Sequence, residues 1–257
     1  MTGSSQEGGA DAVVVHGASR GIGLALVSEL SKENDQRLLV ATCRQPENAR
    51  QLRRLQKTRP REIEIVQMDA ENESSVKNAA IRVKSLCETV SMMISCVGVL
   101  HDSNIQPERR LQDTTAQQLL TAVRVNAVGP LICVKHFEQF FERQKKTIVA
   151  ALSARVGSIT DNKIGGWYGY RASKAALNMY LKNLSIELPR RYQRMICVAL
   201  HPGTVDTQLS RPFQQRIPSK QIFEPAYSAR LIMGILSNLD ESDNGRFIAW
   251  DGKHIPW

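Results

Sequence analysis

Long apolar runs are missing from this 257-residue chain, and none reaches the length a helix needs to cross a bilayer. Met1 to Ala10 contains neither an apolar h-region nor an arginine-rich amphipathic stretch, so no leader is read there and the expected location is the cytoplasm. Cysteine is scarce, and Cys43, Cys87, Cys96, Cys133 and Cys197 form no CxxC pair. An odd count of thiols, several of them in apolar runs, excludes a disulfide framework and points to a reducing compartment. No histidine pairing signal accompanies any of them, so neither a catalytic cysteine nor a metal site is read. A recognisable nucleic-acid-binding motif and an aromatic-rich basic stretch are also missing, although the formal net charge is +9. The basic residues are dispersed, except for a run at Arg50, Arg53, Arg54, Lys57, Arg59 and Arg61 that reads as a solvated helix face. A nucleic-acid partner is therefore not expected, and the positive surplus suits a phosphate-bearing ligand.

No internal repeat and no low-complexity linker divides the chain, which reads as one domain over residues 1–257 with a flexible N-terminus at 1–10. Short apolar runs suit strands at Ala12–Val15, Leu38–Cys43, Ile63–Met68, Met92–Val97, Thr147–Leu152, Met195–Leu200 and Phe247–Trp250. Helical spacing is read between them at Ile22–Leu30, Asn48–Lys57, Ser74–Cys87, Thr115–Gln144, Gly169–Leu188 and Ala226–Leu239, with a kink expected at Gly129-Pro130. Alternating strands and helices predict an α/β fold. It is a Rossmann-type, doubly wound parallel sheet of about seven strands with helices on both faces. Ligands of such sheets lie outside the carboxyl ends of the strands.

The first strand runs into His16-Gly17-Ala18-Ser19-Arg20-Gly21-Ile22-Gly23. Gly17, Gly21 and Gly23 let the chain turn sharply and let a pyrophosphate approach the backbone, while the following helix points free N–H groups at that anion. The second strand ends in Cys43-Arg44 with no carboxylate to hold a pair of ribose hydroxyls. Arg44, with Arg20 closing from the other side, suits a 2′-phosphate instead, which favours NADP(H). Farther along, Tyr170-Arg171-Ala172-Ser173-Lys174 places a phenol and an ammonium four apart on one helix face. A neighbouring ammonium favours the phenolate and makes tyrosine a usable acid–base group.

The GxxxGxG spacing together with YxxxK resembles the short-chain dehydrogenase/reductase family, and the resemblance runs from Val13 to the C-terminus. It implies an oxidoreductase that moves a hydride between a nicotinamide cofactor and a carbonyl or alcohol, with Tyr170 as general acid/base and Lys174 assisting. It implies further that Ser19, Arg20 and Ile22 line the cofactor loop between the glycines, and that Asp69 contacts the adenine. Gly98, in Ser95-Cys96-Val97-Gly98, would allow close backbone approach. Asn126, in Val125-Asn126-Ala127-Val128-Gly129, would hold a water on a proton path to Lys174. Pro202, Gly203, Val205 and Thr207, in a PGxVxT pattern, would hold the nicotinamide carboxamide. His16 stands where the family usually has threonine. The family's carbonyl-polarising serine would fall at Ala154 in an ungapped match, which leaves Ser153 as the candidate and Ser158 as the alternative.

A closer resemblance, to the C-factor branch related to sniffer-like carbonyl reductases, rests on three stretches. They are Ser153 to Asn162 followed by Gly165-Gly166-Trp167-Tyr168, His201 to Thr207, and the ending Trp250 to Trp257. It implies an NADPH-linked carbonyl reductase and permits a second class, a dinucleotide-binding signalling protein with little or no turnover. Intact Tyr170, Lys174 and Asn126 argue for the enzyme. Residues 208–224 are expected to cover the substrate, and their Phe213, Ile217, Ile222 and Phe223 suit a hydrophobic aldehyde, ketone or quinone. The family pairs through the long helices that here follow Thr115 and Gly169, so the resemblance implies a homodimer, which the residues themselves leave open.

Overall fold

A computed structural model describes residues 10–33, 35–58, 63–103 and 105–257; the expected flexible N-terminus, apart from Ala10, lies outside the described residues. The strands β1 (Asp11–His16), β2 (Leu38–Cys43), β3 (Ile63–Gln67), β4 (Thr89–Ser95), β5 (Thr147–Leu152) and β6 (Met195–His201) are followed near the C-terminus by β9 (Phe247–Ala249). Together they form one seven-stranded sheet in the order β3-β2-β1-β4-β5-β6-β9. Every pair in it is parallel, with Val14 of β1 opposite Val40 on one side and Met93 on the other. Burial along β1, β2, β5 and β6 is nearly continuous rather than alternating, which is why these strands read as unbroken apolar runs.

Helices cover both faces. On one face lie α3 (Glu73–Lys84), α5 (Gly129–Phe137) and α6 (Tyr168–Glu187); Val76, Val83, Phe137, Leu177 and Leu181 pack there on Val14, Val40, Met93 and Val149. On the other lie α1 (Gly21–Leu30), α2 (Arg50–Thr58) and α7 (Pro225–Asn238), packing Leu26, Val27, Leu52 and Ile232 on the opposite side chains of the same strands. Arg50, Arg53, Arg54 and Lys57 are exposed on α2 and form its solvated face, whereas Arg59 and Arg61 lie outside the described residues. The chain winds outward from β1 through β2 to β3 and then returns to place β4 on the other side of β1. The direction of winding changes there, so the carboxyl ends of β1 and β4 open a crevice.

The helix expected over Thr115–Gln144 is divided. α4 (Ala116–Val123) passes into a π-helical turn at Arg124–Val128, then α5, then a 3-10 turn at Glu138–Phe140. Pro130 has no N–H, so the carbonyl of Asn126 has no amide donor four residues on, and the backbone widens just ahead of the proline. The helical path stops at Phe140, and Phe140 and Phe141 are both buried. Phe141 leaves in an extended conformation and meets Tyr192 edge-on at 5.7 Å. Residues 208–224 carry 3-10 turns at Arg211–Arg216 and Ser219–Gln221, and a short parallel pair, β7 (Thr204–Val205) with β8 (Ile222–Phe223), ties this segment to the end of β6.

The start of α5 touches the loop after β3 so closely that a Cβ on Gly129 would lie 2.8 Å from both the Cβ and the carbonyl oxygen of Ala70. Gly129→Ala is expected to lower stability to urea by about 1–3 kcal/mol through overpacking. An unchanged unfolding midpoint would contradict this packing.

Candidate active site

At the carboxyl end of β1 the chain turns through Gly17 (φ 86°), and the amides of Gly17 and Ala18 donate to the Thr42 carbonyl at 3.1 and 2.8 Å. α1 begins at Gly21 (φ 58°) with no side chain capping its first turn and no acid in it, so its leading N–H groups remain available to an anion. A Cβ on Gly23 would lie 2.2 Å from the Gly17 carbonyl oxygen, so only glycine lets the loop fold back on the helix. Gly21 in turn faces Thr207, whose Cγ2 lies 3.4 Å from the position a Cβ would take. The loop after β6 is thus brought over the loop after β1. An uncapped helix start under a glycine cradle fits a dinucleotide pyrophosphate.

The arginines take separate partners. Arg20 Nη1 donates to Gln208 Oε1 at 2.8 Å, whereas Arg44 Nη1 stands 3.9 Å from Glu71 Oε2. Glu71 also holds Arg124 at 2.9 Å, so the loop after β3 sets one carboxylate beside both Arg44 and Arg124. Asp69 turns that loop by accepting from the Glu71 amide at 3.0 Å. His16 is buried beneath the glycine loop with Nδ1 3.2 Å from Ser95 Oγ, and burial lowers its pKa to about 4, so it is neutral near pH 7. Among the described residues, His16 Nε2 and Thr42 Oγ1, both buried there, have no hydrogen-bond partner.

Lys174 is the centre of the second half of the site. It is 3% exposed, its ammonium donates to the Leu152 carbonyl at 2.8 Å, and burial lowers its pKa to about 8. Its Nζ lies 5.8 Å from the centroid of the half-buried Tyr170 ring, and burial raises the Tyr170 pKa. A Cβ on Gly98 would stand 3.5 Å from both Lys174 Nζ and Asn126 Oδ1, so the loop after β4, the π turn and α6 meet at one point.

Asn126 is fully buried and its side chain is fully engaged. Oδ1 accepts from the Val99 amide at 2.6 Å, while Nδ2 donates to the Val99 carbonyl at 2.9 Å and to Ser173 Oγ at 2.8 Å. The side chain clamps the β4 exit to α6. Ser153 is buried and donates to Asn178 Oδ1 at 2.6 Å. Ser158 donates to the Trp257 carbonyl at 3.3 Å and accepts from the Asp161 amide at 3.0 Å. Among the described residues, neither hydroxyl is bonded to Tyr170.

After β6, Pro202 is buried and accepts Ser228 Oγ at 2.9 Å, Gly203 adopts φ 80°, and buried Val205 accepts Ser210 Oγ at 2.5 Å. Ser19 and Ile22 lie in the glycine-rich segment on either side of Arg20 and Gly21.

Several supporting residues were not read from the sequence. Gly157 lets the turn after β5 press on α6, since a Cβ there would lie 2.7 Å from that of Lys174. Asn178, one turn beyond Lys174 on the same face, holds Ser153 and donates to the Gly157 carbonyl at 3.4 Å. Glu108 accepts the Gly169 amide at 3.1 Å at the start of α6. The four-residue spacing from Lys174 was a signal for Asn178; nothing local marks Glu108.

The family model for short chain dehydrogenases matches residues 11–218. An oxidoreductase of Schizosaccharomyces pombe is 29% identical over 257 residues, covering 95% of this chain and 96% of its own. The C-signal protein of Myxococcus xanthus is 31% identical over 147 residues, which are 57% of this chain and 83% of its own. Among solved structures, the NADPH-bound carbonyl reductase from chicken fatty liver superposes with a TM-score of 0.86 at 28% identity, covering 96% of this chain and 99% of that one. The carbonyl reductase Sniffer of D. melanogaster gives 0.85 at 27%, covering 96% and 100%. The chain belongs to the short-chain dehydrogenase family of oxidoreductases.

The buried ammonium can be titrated directly. In protein carrying 13Cε-labelled lysine, the Lys174 resonance is expected to move with a pKa of about 8. A value at the ordinary lysine position of about 10.4 would contradict the burial described here.

Proposed function

We propose that the protein is an NADP(H)-dependent carbonyl reductase. One observation carries the reading: Tyr170, Lys174, Asn126 and Gly98 converge at the strand ends that also bear the uncapped start of α1. The glycine loop would hold the pyrophosphate, Arg44 and Arg20 the 2′-phosphate, and Asp69 the adenine. Lys174 would hold the nicotinamide ribose, and Pro202, Gly203, Val205 and Thr207 the carboxamide. The NADPH-bound state of the chicken reductase supports this choice of nucleotide. When bound, NADPH supplies the hydride.

The chain's own residues handle the proton and the geometry. Tyr170 donates its phenolic proton to the carbonyl oxygen. The Lys174 ammonium, fixed on Leu152, opposes the rise that burial imposes on the phenol and so favours loss of that proton. Asn126 fixes the β4 exit against α6, holding Gly98 beside Lys174. A group that polarises a carbonyl must donate, and the Ser153 proton is given to Asn178. Polarisation therefore rests mainly on Tyr170, while Ser153 fixes the β5 exit.

The five free cysteines suit a reducing cytoplasm. Among the described residues, no helix is long and apolar enough to cross a membrane. Leu120 on α4 and Met179 and Ile186 on α6 are 67, 59 and 53% exposed, which supports pairing of two copies through those helices. The similarity to C-signal favours a second reading, a dinucleotide-binding signalling protein with little turnover.

NADPH oxidation across a panel of aldehydes, ketones and quinones separates the two. Turnover is expected to fall about 10²- to 10⁴-fold in Tyr170→Phe. Ser153→Ala should lose less than about tenfold, the scale of a single hydrogen bond. NADPH should be favoured over NADH by about tenfold or more, and Arg44→Ala should remove the preference. NADPH binding without turnover on any carbonyl would shift the reading to the signalling protein, and equal use of NADH would overturn the 2′-phosphate assignment.

A further inference from the structure

Trp167 is the one non-glycine among the described residues with a left-handed backbone, at φ 51° and ψ 46°. For a bulky residue this is a strained conformation, and such strain persists only where the surroundings impose it. Here they do. Gly165 (φ 70°) and Gly166 (φ 66°) lead into it, and the Trp167 amide donates to the Glu108 carbonyl at 2.5 Å. Trp167 is also the N-cap of α6, a position where Ser, Thr, Asp or Asn ordinarily satisfies the first amides. That task is performed from outside the helix by the buried Glu108, whose carboxylate accepts the Gly169 amide. Position 167 is thereby released from capping.

The released side chain is not spent on the core, for Trp167 belongs to none of the three apolar clusters. It faces the reacting group. Its ring stands edge-on to Tyr170 at 6.2 Å and to Phe213 at 5.1 Å. Phe213 meets His101 edge-on at 5.6 Å, and His101 Nε2 lies 2.9 Å from the Gln208 carbonyl oxygen, which ties the segment bearing Phe213 to the β4 exit. An aromatic strip thus runs outward from the phenol across three segments of chain.

We propose that Trp167 is a specificity-determining residue. With Phe213, it selects carbonyl compounds and alcohols whose reacting carbon is attached to a flat aromatic ring over non-planar ones of equal size and hydrophobicity. Ring–ring contacts with offset or edge-on geometry add affinity beyond the area they bury, and a saturated ring cannot make them. The proposal rests on the reductase reading for the position of the substrate, but its test does not require turnover.

Binding of benzyl alcohol and of cyclohexylmethanol to the full-length protein is measured by ligand-observed NMR with NADPH present, a combination that cannot react. Wild type is expected to favour benzyl alcohol by tenfold or more, equivalent to 1.4 kcal/mol. In Trp167→Leu that preference is expected to fall below threefold, chiefly through weaker binding of the aromatic alcohol. In Trp167→Gly, which relieves the backbone strain, it should fall likewise while Tm holds or rises. The proposal is overturned if wild type shows no preference, if Trp167→Leu retains it, if both alcohols weaken together, or if Trp167→Gly unfolds. A protein that keeps the Trp167-dependent ring preference yet reduces no carbonyl would sink the reductase reading and leave this inference standing.

Discussion

The Lys174 ammonium rests on the Leu152 carbonyl at 2.8 Å in a place almost closed to water, and much of the site is arranged around that one bond. Burying a lysine disfavours its charge, so its partners must be exact. β5 supplies the carbonyl, Gly157 lets the following turn lie against α6, and Asn178 ties that turn down one helical turn away. Asn126 brings the β4 exit in from the other side. Burial by itself moves the neighbouring phenol away from useful acidity, and a nearby positive charge opposes that shift. The lysine is therefore a structural constraint and a chemical one at once.

The cofactor half obeys a complementary constraint. A doubly wound sheet opens a crevice where the winding reverses, between β1 and β4, and the chain leaves both strands there without bulk. Gly17 would place a Cβ 2.9 Å from Val97 Cγ2, and Gly23 one 2.2 Å from the Gly17 oxygen. Leaving α1 uncapped costs stability at the helix start and keeps a set of amides ready for an anion. The loop after β6 completes the enclosure, with Thr207 against Gly21.

The seven strands, their helices and the glycine loop could be read from residue order because each has a local cause: apolar runs, helical periodicity, and turns that tolerate no side chain. Tyr170 and Lys174 were legible as a pair because their spacing puts them on one helix face, downstream of a glycine-rich strand–helix start. Other features depend on partners distant in sequence. The residue type of Ser153 suits catalysis, but the direction of its hydroxyl is set by Asn178. Arg44 has no acid beside it in sequence, yet Glu71 stands 3.9 Å away. Glu108 caps a helix that begins 60 residues later, and no short-range pattern records that. The single helix read over Thr115–Gln144 divides around Asn126, just ahead of Pro130, which withdraws a donor, and it ends in a 3-10 turn at Phe140.

The account turns on opposing influences at one phenol, and titration of that phenol tests it. With 13Cζ-labelled tyrosine, Tyr170 in the free protein should titrate above the ordinary value of about 10, as burial requires, and should fall below about 10 when NADP+ is bound. A Tyr170 that titrates at the ordinary value in the free protein, or that does not respond to the cofactor, would contradict it.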